Sequence, residues 1–491
     1  FSFAGTWKSG VSDITGDNAI FQKIKNSQWE LKNHFNQLYT KEKYTWGIRL
    51  YIRYTHCPAS LTVAHRNLPI LFADNMLIAN CIYHRNELSS PDNISENTYR
   101  TVIGQTHESI LAEYEEMNTG NAYTDNVLYG MRKINGVNYQ LTGGFCGELS
   151  SVKQENAYSA HSYSFYTVPR IEWERNDFLF TAATTVRWSH LPKQSYSRFC
   201  VSPFFCFRYK FTPRWKMSLL GSLDESEGGL KDIYPFRYRE DYRTVVKHTG
   251  KVPVTVRQLY TCYLEYKNTI KEFFWTLSAS YSHNRYNLIT ERNYKDGNFY
   301  LSSVERNHSS HSYTLNTIGS KGIYDWNLKT SLELTLARNE GKQLNEGIVQ
   351  DYRYDYLCIE PKIVWAPSVF FEAEYKATVS CVGGGIGEDT SLDPLWEVAQ
   401  RLTLSLEFHD TEFRLSGEHF YNDLSKNQHL NIWLADVSLI HKVGKWRFAA
   451  SAINLFNKEQ YRYTLYSAVQ SYTSWIKLRP REFMVSVQYQ W

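Results

Sequence analysis

The sequence predicts an all-β fold: a closed antiparallel transmembrane up-and-down β-barrel of about 20–22 strands, with short periplasmic turns and long extracellular loops. Three observations predict it. Segments with strict apolar/polar alternation recur along most of the 491 residues. They run for about ten to fourteen residues, where strands of soluble domains average about five to six and membrane-crossing strands need about nine to eleven. Aromatic residues, 16% of the chain, cluster at the ends of these segments (Trp188, Phe211, Trp326, Trp446, Trp491), where interfacial girdles belong.

Because strand side chains alternate faces, each segment assigns its own sides. In 44–56 the pattern is a good strand; 26–38, 60–66, 68–84 and 102–116 are arguable ones. In 176–188, Phe178, Phe180, Ala182, Val186 and Trp188 oppose Thr181, Thr185 and Arg187. In 197–211, Phe199, Val201, Phe205, Phe207, Tyr209 and Phe211 oppose Ser202, Arg208 and Lys210. The run 271–283 sets Phe273, Trp275, Leu277, Ala279 and Tyr281 against serines and Thr276; 324–337 sets Trp326, Leu328, Leu332, Leu334 and Leu336 against Lys329 and Glu333. In 369–381, Phe371, Ala373, Tyr375 and Val379 oppose Glu372, Glu374 and Lys376. Segments 400–408 and 446–454 repeat the pattern, and the last eleven residues put Phe483, Val485, Val487, Tyr489 and Trp491 on one side. Aliphatic and aromatic stripes of this kind face hydrocarbon. The stripe with Arg187, Arg208, Lys329, Glu333, Glu372 and Lys376 lines a wet lumen.

Connections alternate as well. Short links at 174–176, 212–214, 268–270, 321–324, 366–368, 409–411 and 442–445 alternate with longer ones at 148–159, 189–196, 223–254, 284–307, 338–350, 382–398, 421–429 and 455–481. All short links then fall on the rim where Trp491 ends. Pro169, Pro203 and Pro361 lie inside strands of a barrel without edges, which predicts a β-bulge at each.

Other classes find little footing. No window approaches the roughly 20 apolar residues of a membrane helix, a test that does not touch barrels. A net charge of +4 with no basic cluster argues against nucleic acid. The eight cysteines contain no C-x-x-C and read as isolated thiols, with no metal or other cofactor expected. The glycine-rich 382–389 follows a strand and opens no helix, so phosphate binding is not expected there. Glu372 and Glu374 share a face as a catalytic pair would, but a wet wall supplies such pairs by default. No H-E-x-x-H, G-x-S-x-G or P-loop occurs, and the chain is not read as an enzyme.

The stretch Asn454-Leu455-Phe456-Asn457, then Leu478-Arg479-Pro480-Arg481, then the aromatic-terminated last strand, resembles the end of TonB-dependent receptors in the style common among Bacteroidetes. The resemblance implies a barrel in the outer membrane of a Gram-negative cell that imports a scarce nutrient (glycan, peptide or metal chelate). Its partners would be outer-membrane lipid, the TonB system acting through a plug, and the barrel-assembly machinery, which reads a final strand marked here by Phe483, Tyr489 and Trp491. A surface lipoprotein is carried as an optional partner. Residues 1–43 leave no room for a plug, so 1–491 is read as one barrel domain without it. The rival function is a structural or assembly barrel that docks a partner protein and moves no small solute.

For ligand capture the most suggestive loop is 223–254. Tyr234, Phe236, Tyr238 and Tyr242 interleave with Arg237, Arg239 and Arg243, flat rings and guanidinium donors suited to a sugar or an acidic ligand. The alternative is that these residues pack the loop upon itself or against a partner.

Overall fold

A computed structural model describes residues 2–14, 19–41, 44–66, 112–153, 157–240, 244–295, 298–387, 390–425, 428–466 and 471–489. Among them there are short 3-10 turns at Pro192–Gln194, Leu230–Ile233 and Tyr324–Trp326, no α-helix, and otherwise chiefly β-strand. The expected segment 68–84 and residues 102–111 lie outside the described residues, as do Tyr242, Arg243 and Trp491.

Among the described residues, one sheet of 22 strands holds every strand except a separate hairpin, Gln460–Tyr466 with Ser471–Lys477. Two of the 22, Arg237–Arg239 and Thr244–Lys247, belong to an inserted loop. The others form a wall of antiparallel neighbours in chain order, from Ser2–Ile14 to Glu482–Tyr489. Those two end strands share no ladder among the described residues.

The register shows what the wall separates. In antiparallel pairs directly opposed residues share a face. From Val137 one row of opposed residues runs through Trp173, Phe180, Phe207, Leu219, Cys262, Ala279, Leu315, Leu336, Leu357, Cys381 and Trp396, apolar at every strand. The face continues to the chain's last described strand, where Phe483 is 74% and Val485 81% exposed. The row starts beside the short turn after Arg175 and reaches Leu336 eight residues above Leu328, the first residue after another short turn. A perpendicular row climbs in this way only when strands are tilted, as closure into a barrel requires.

The short turns fall where expected, and two-residue connections such as Asn135–Gly136 use the left-handed backbone (φ 49° and 82°) that a tight hairpin needs. The opposite rim corrects the sequence reading. Most expected long loops are strand: Phe273–Lys295 and Asn298–Ile323 meet across residues 296–297, and Leu328–Asn345 turns into Ile348–Ser368 through Glu346 and Gly347. The hydrophobic alternation stops there, but the backbone ladder needs no apolar face and continues. Of the expected long connections, only 223–254 and 455–481 fold as insertions with strands of their own.

The prolines correct it too. No register shift occurs at Pro169, Pro203 or Pro361. Pro169 opposes Leu141 without interruption, while toward the other neighbour pairing skips from Thr167↔Val186 to Arg170↔Ala183 in the same register. Pro361 keeps Leu332 and skips between Ile359↔Val379 and Lys362↔Lys376. Pro203 keeps Thr184, and its other ladder begins one residue later at Phe204. A missing N–H removes pairing toward one neighbour only, so an extra residue is unnecessary. The register shifts lie elsewhere, between Tyr286 and Leu288 and between Val382 and Gly384 among others.

The Asn454–Asn457 turn has a mechanical role. Asn454, buried and left-handed at φ 55°, receives a hydrogen bond from the Lys458 backbone N–H at 2.9 Å and donates to the carbonyls of Lys458 and Arg479, each at 2.8 Å. Asn457 accepts from the Arg481 N–H at 2.9 Å. Two asparagines thereby staple the exit of Trp446–Ile453 to the entry of Glu482–Tyr489 across the separate hairpin.

Candidate functional site

The side of the wall opposite the apolar row is polar and internally paired. Arg187, Arg208, Lys329, Glu333, Glu372 and Lys376 all lie on it by register: Arg187 opposes Tyr166, Arg208 opposes Ser218, Glu333 opposes Glu360, Lys376 opposes Arg401 and Lys362, Lys329 opposes Gly322, and Glu372 opposes Ser405. Glu333 accepts from Asn316 at 2.8 Å, and Arg187 donates to the Glu225 carbonyl at 2.8 Å. Around them stand the ion pairs Lys216–Glu265 (2.7 Å), Arg401–Glu418 (3.2 Å) and Lys362–Glu374 (3.3 Å). Unlike the apolar face, this one offers charge and hydrogen bonds at nearly every strand.

The loop after Trp215–Glu227 folds over the upper end of the same polar side. Its turn Leu230–Ile233 delivers Ile233 and Tyr234 (0% and 2% exposed) against Val152, Tyr158, Ala160 and Leu191, which project from the wall's polar face. Burying one isoleucine and one tyrosine here stabilises the seat by a few kcal/mol, about 1.5–3 per large apolar side chain. Tyr158 and Tyr234 meet edge to face at 5.7 Å, and Phe236 stands 5.4 Å from Tyr234. Lys193 covers the other side of Tyr158, its Nζ 3.7 Å from the ring centre.

The rest of the loop is stitched to the long hairpin beside it. Thr244–Lys247 pairs in parallel with Phe299–Ser302, and Arg237–Arg239 pairs with Thr244–Lys247 in turn. Asn287, the residue skipped by the register shift, turns its side chain to the loop: its Oδ1 accepts from the Val254 N–H at 2.7 Å and its Nδ2 donates to the Val252 carbonyl at 2.9 Å. At the end of the turn Gly250 takes φ +75°, which favours glycine.

The residues singled out in this loop therefore divide. Tyr234 belongs to the packing. Tyr238 is half-buried, with its hydroxyl 3.5 Å from His248 Nε2, and burial raises its pKa. Arg239 donates to Asn298 at 3.3 Å. Phe236 (36% exposed) and Arg237, whose guanidinium lies 5.1 Å from the centre of the Tyr300 ring, present open surface. Sequence reasoning missed Ile233, Val252 and Asn287. Only Asn287 left a local trace: the apolar positions, odd from Phe273 to Tyr281, are even at Tyr286 and Leu288 on either side of it.

No protein-family model and no curated protein matches the chain. Solved structures do. The ferric yersiniabactin uptake receptor FyuA from Yersinia pestis matches at 10% identity over 99% of this chain and 79% of that one, TM-score 0.38. The copper transporter OprC matches at 9% over 99% and 79%, TM-score 0.42, and a mutant of the ferric enterobactin receptor PfeA from Pseudomonas aeruginosa at 11% over 99% and 69%, TM-score 0.42. Similarity this low carries no inference about what this chain binds or moves.

Proposed function

We propose that residues 1–491 form one β-barrel domain of the outer membrane, a receptor of the TonB-dependent type common among Bacteroidetes. It imports a scarce nutrient, a glycan, a peptide or a metal chelate, with inner-membrane energy passed through a plug held against the polar face. The single observation that carries the reading is the row from Val137 to Trp396: one face of a tilted antiparallel wall is apolar throughout while its reverse is charged and paired. A soluble sandwich would bury such a face against a second layer, and here Trp173, Phe180, Leu219, Leu336 and Trp396 are exposed and no residue of the row is buried. Closure between Ser2–Ile14 and Glu482–Tyr489 belongs to this proposal. So do assembly through the last strand, in which Phe483 and Tyr489 lie on the apolar face, and the lumen-lining role of the six charged residues. Phe236 and Arg237 are the ligand-facing pair of the loop, and Tyr242 and Arg243 are proposed to contribute to the same ligand capture.

Two measurements test it. In a Gram-negative host the chain should fractionate with outer membranes and migrate faster on gels before boiling than after, as folded barrels do. A deletion strain of the source organism should then grow poorly on at least one limiting nutrient from a panel of glycans, peptides and metal chelates, in a manner that requires TonB. The double variant Phe236→Ala, Arg237→Gln should lower uptake of that nutrient with the assembled amount unchanged. Normal growth on every nutrient despite correct insertion would replace transport by the docking-barrel reading.

A further inference from the structure

The apolar face contains a groove of about 770 Å³ about midway along the strands Leu328–Asn345 and Ile348–Ser368. Its floor is part of the apolar row, Leu315, Leu336 and Leu357. The row immediately above is charged: Arg338 directly opposes Asp355, and Arg353 follows two residues along the strand from Asp355. The face thus changes from hydrocarbon to guanidinium within two residues, about 7 Å along a strand. Arg338 stands ten residues beyond Leu328, about 33 Å along the strand and about 25 Å along the membrane normal for a tilt near 40°. That height is where the apolar band of a barrel ends.

The hollow has a backbone cause. At Gly383 and Gly384 the strand Phe371–Ile386 shifts register and carries no side chains. Gly384 takes φ +151°, and a Cβ there would run into the Arg353 carbonyl. The charge has a cause as well. Arg338 Nε donates to Asp355 Oδ1 at 2.6 Å, and Arg353 forms an ion pair with the same carboxylate, its Nε 3.0 Å from Oδ2. One carboxylate serves two guanidiniums that are each about half exposed, 50% and 53%. The groove's own lining is left with one positive charge and most of the fork donors of both arginines. Glu340 directly opposes Arg353 in the next row but does not line the groove, and Lys342 and Asp351 pair with each other at 2.9 Å.

We propose that this groove binds a phosphorylated acyl lipid of the outer leaflet, its phosphate on Arg338 and Arg353 and an acyl chain over Leu315, Leu336 and Leu357. Guanidinium forks match phosphate oxygens two at a time, and the leucine floor requires a ligand with a chain. The assignment rests on the membrane-spanning reading above.

The full chain, extracted from outer membranes and stripped of lipid, is mixed with lipid A, with dephosphorylated lipid A, or with inorganic phosphate, and bound lipid is counted by native mass spectrometry. The wild type should retain about one lipid A per chain. Arg338→Gln with Arg353→Gln should lower retention at least about tenfold, and the dephosphorylated lipid should bind as poorly to the wild type. Gly383→Trp, which fills the hollow without touching the arginines, should act in the same direction if the double variant does not assemble. Equal retention by assembled variants would overturn the site, and displacement of lipid A by inorganic phosphate alone would make it a free-anion site instead. Failure of the wild type to show heat-modifiable migration would sink the spanning reading, a result separable from either.

Discussion

The wall between Val137 and Trp396 keeps its apolar side chains exposed, whereas the loop between Gly228 and Pro253 buries its own. Leu141 and Phe199 on the wall are 60% and 64% exposed, and Ile233 and Tyr234 in the loop 0% and 2%. The wall's stability comes from continuous ladders and, on the proposed reading, from a surrounding lipid medium, so any one apolar residue on it is replaceable by another. The loop behaves as a miniature soluble core seated on the wall's polar face, with each side chain fitted to named neighbours. Substitutions should therefore separate the two regions by kind: chemical character matters on the wall, shape and pairing in the loop.

The largest expected effect is in the loop. Tyr234→Ala removes a ring packed against Tyr158, Phe236 and Tyr238, and truncating a buried aromatic costs about 3–5 kcal/mol. Limited proteolysis of intact cells should cut this variant within 228–254 while the wild type resists, with heat-modifiable migration of the barrel unchanged. Coupled loss of loop and wall would erase the distinction between the two regions.

Next comes the wall. Leu402, 44% exposed, opposes Tyr375 and Gly417 on the apolar face, and Thr403 lies beside Glu374 on the reverse. Leu402→Arg should cost about 2–4 kcal/mol if that face meets the bilayer midplane, read from urea unfolding in lipid vesicles. Thr403→Arg gains a carboxylate neighbour and should stay within about 1 kcal/mol of the wild type. Equal costs at the two positions would mean that both faces meet water. Of the same order is Asn287→Ala, which strands the Val254 N–H and the Val252 carbonyl. Each unpaired group costs about 1–3 kcal/mol when buried, so protease resistance of the loop should weaken without a change in the wall.

These differences explain what could be read from the chain. A face is a local property: period two in 178–188 or 197–211 states it without knowledge of any neighbour, which is why the wall's sides, the short-turn rim and the six polar-face residues were legible. The upper limits of the strands were not, because hydrophobic alternation reports the medium and stops where the ladder still continues, as at Arg338–Asn345. Bulges at the three prolines were wrongly expected for a related reason: a lost donor affects one neighbour, and which neighbour is a fact of register. The loop's order is the least legible. Tyr234 meets Tyr158 and Val252 meets the Asn287 side chain, partners that lie in other elements, so nothing in "DIYPFRYRE" distinguishes the buried ring of Tyr234 from the half-open one of Phe236.

The smallest effect sharpens the comparison through pH. His248 lies in the loop, with Tyr238 Oη 3.5 Å from its Nε2 and Ser303 Oγ 3.3 Å from its Nδ1. Burial pushes its pKa below the ordinary histidine value, and the carboxylates of Asp232 and Glu240 only partly pull it back. The unfolded loop therefore binds a proton more readily than the folded one, and by linkage the folded loop loses stability as pH falls. The contribution is complete above the ordinary value of about 6.5 and disappears as pH drops through the depressed folded value. Hydrogen exchange of Thr244–Lys247 amides should accelerate between pH 7.5 and 5, after correction for the intrinsic rate, more than that of the belt amides around Leu402. His248→Gln, which keeps a polar side chain near Tyr238 and Ser303 but does not titrate, should flatten this dependence. A slope that survives in His248→Gln would assign the acid sensitivity to another group and leave the loop's seat independent of this imidazole.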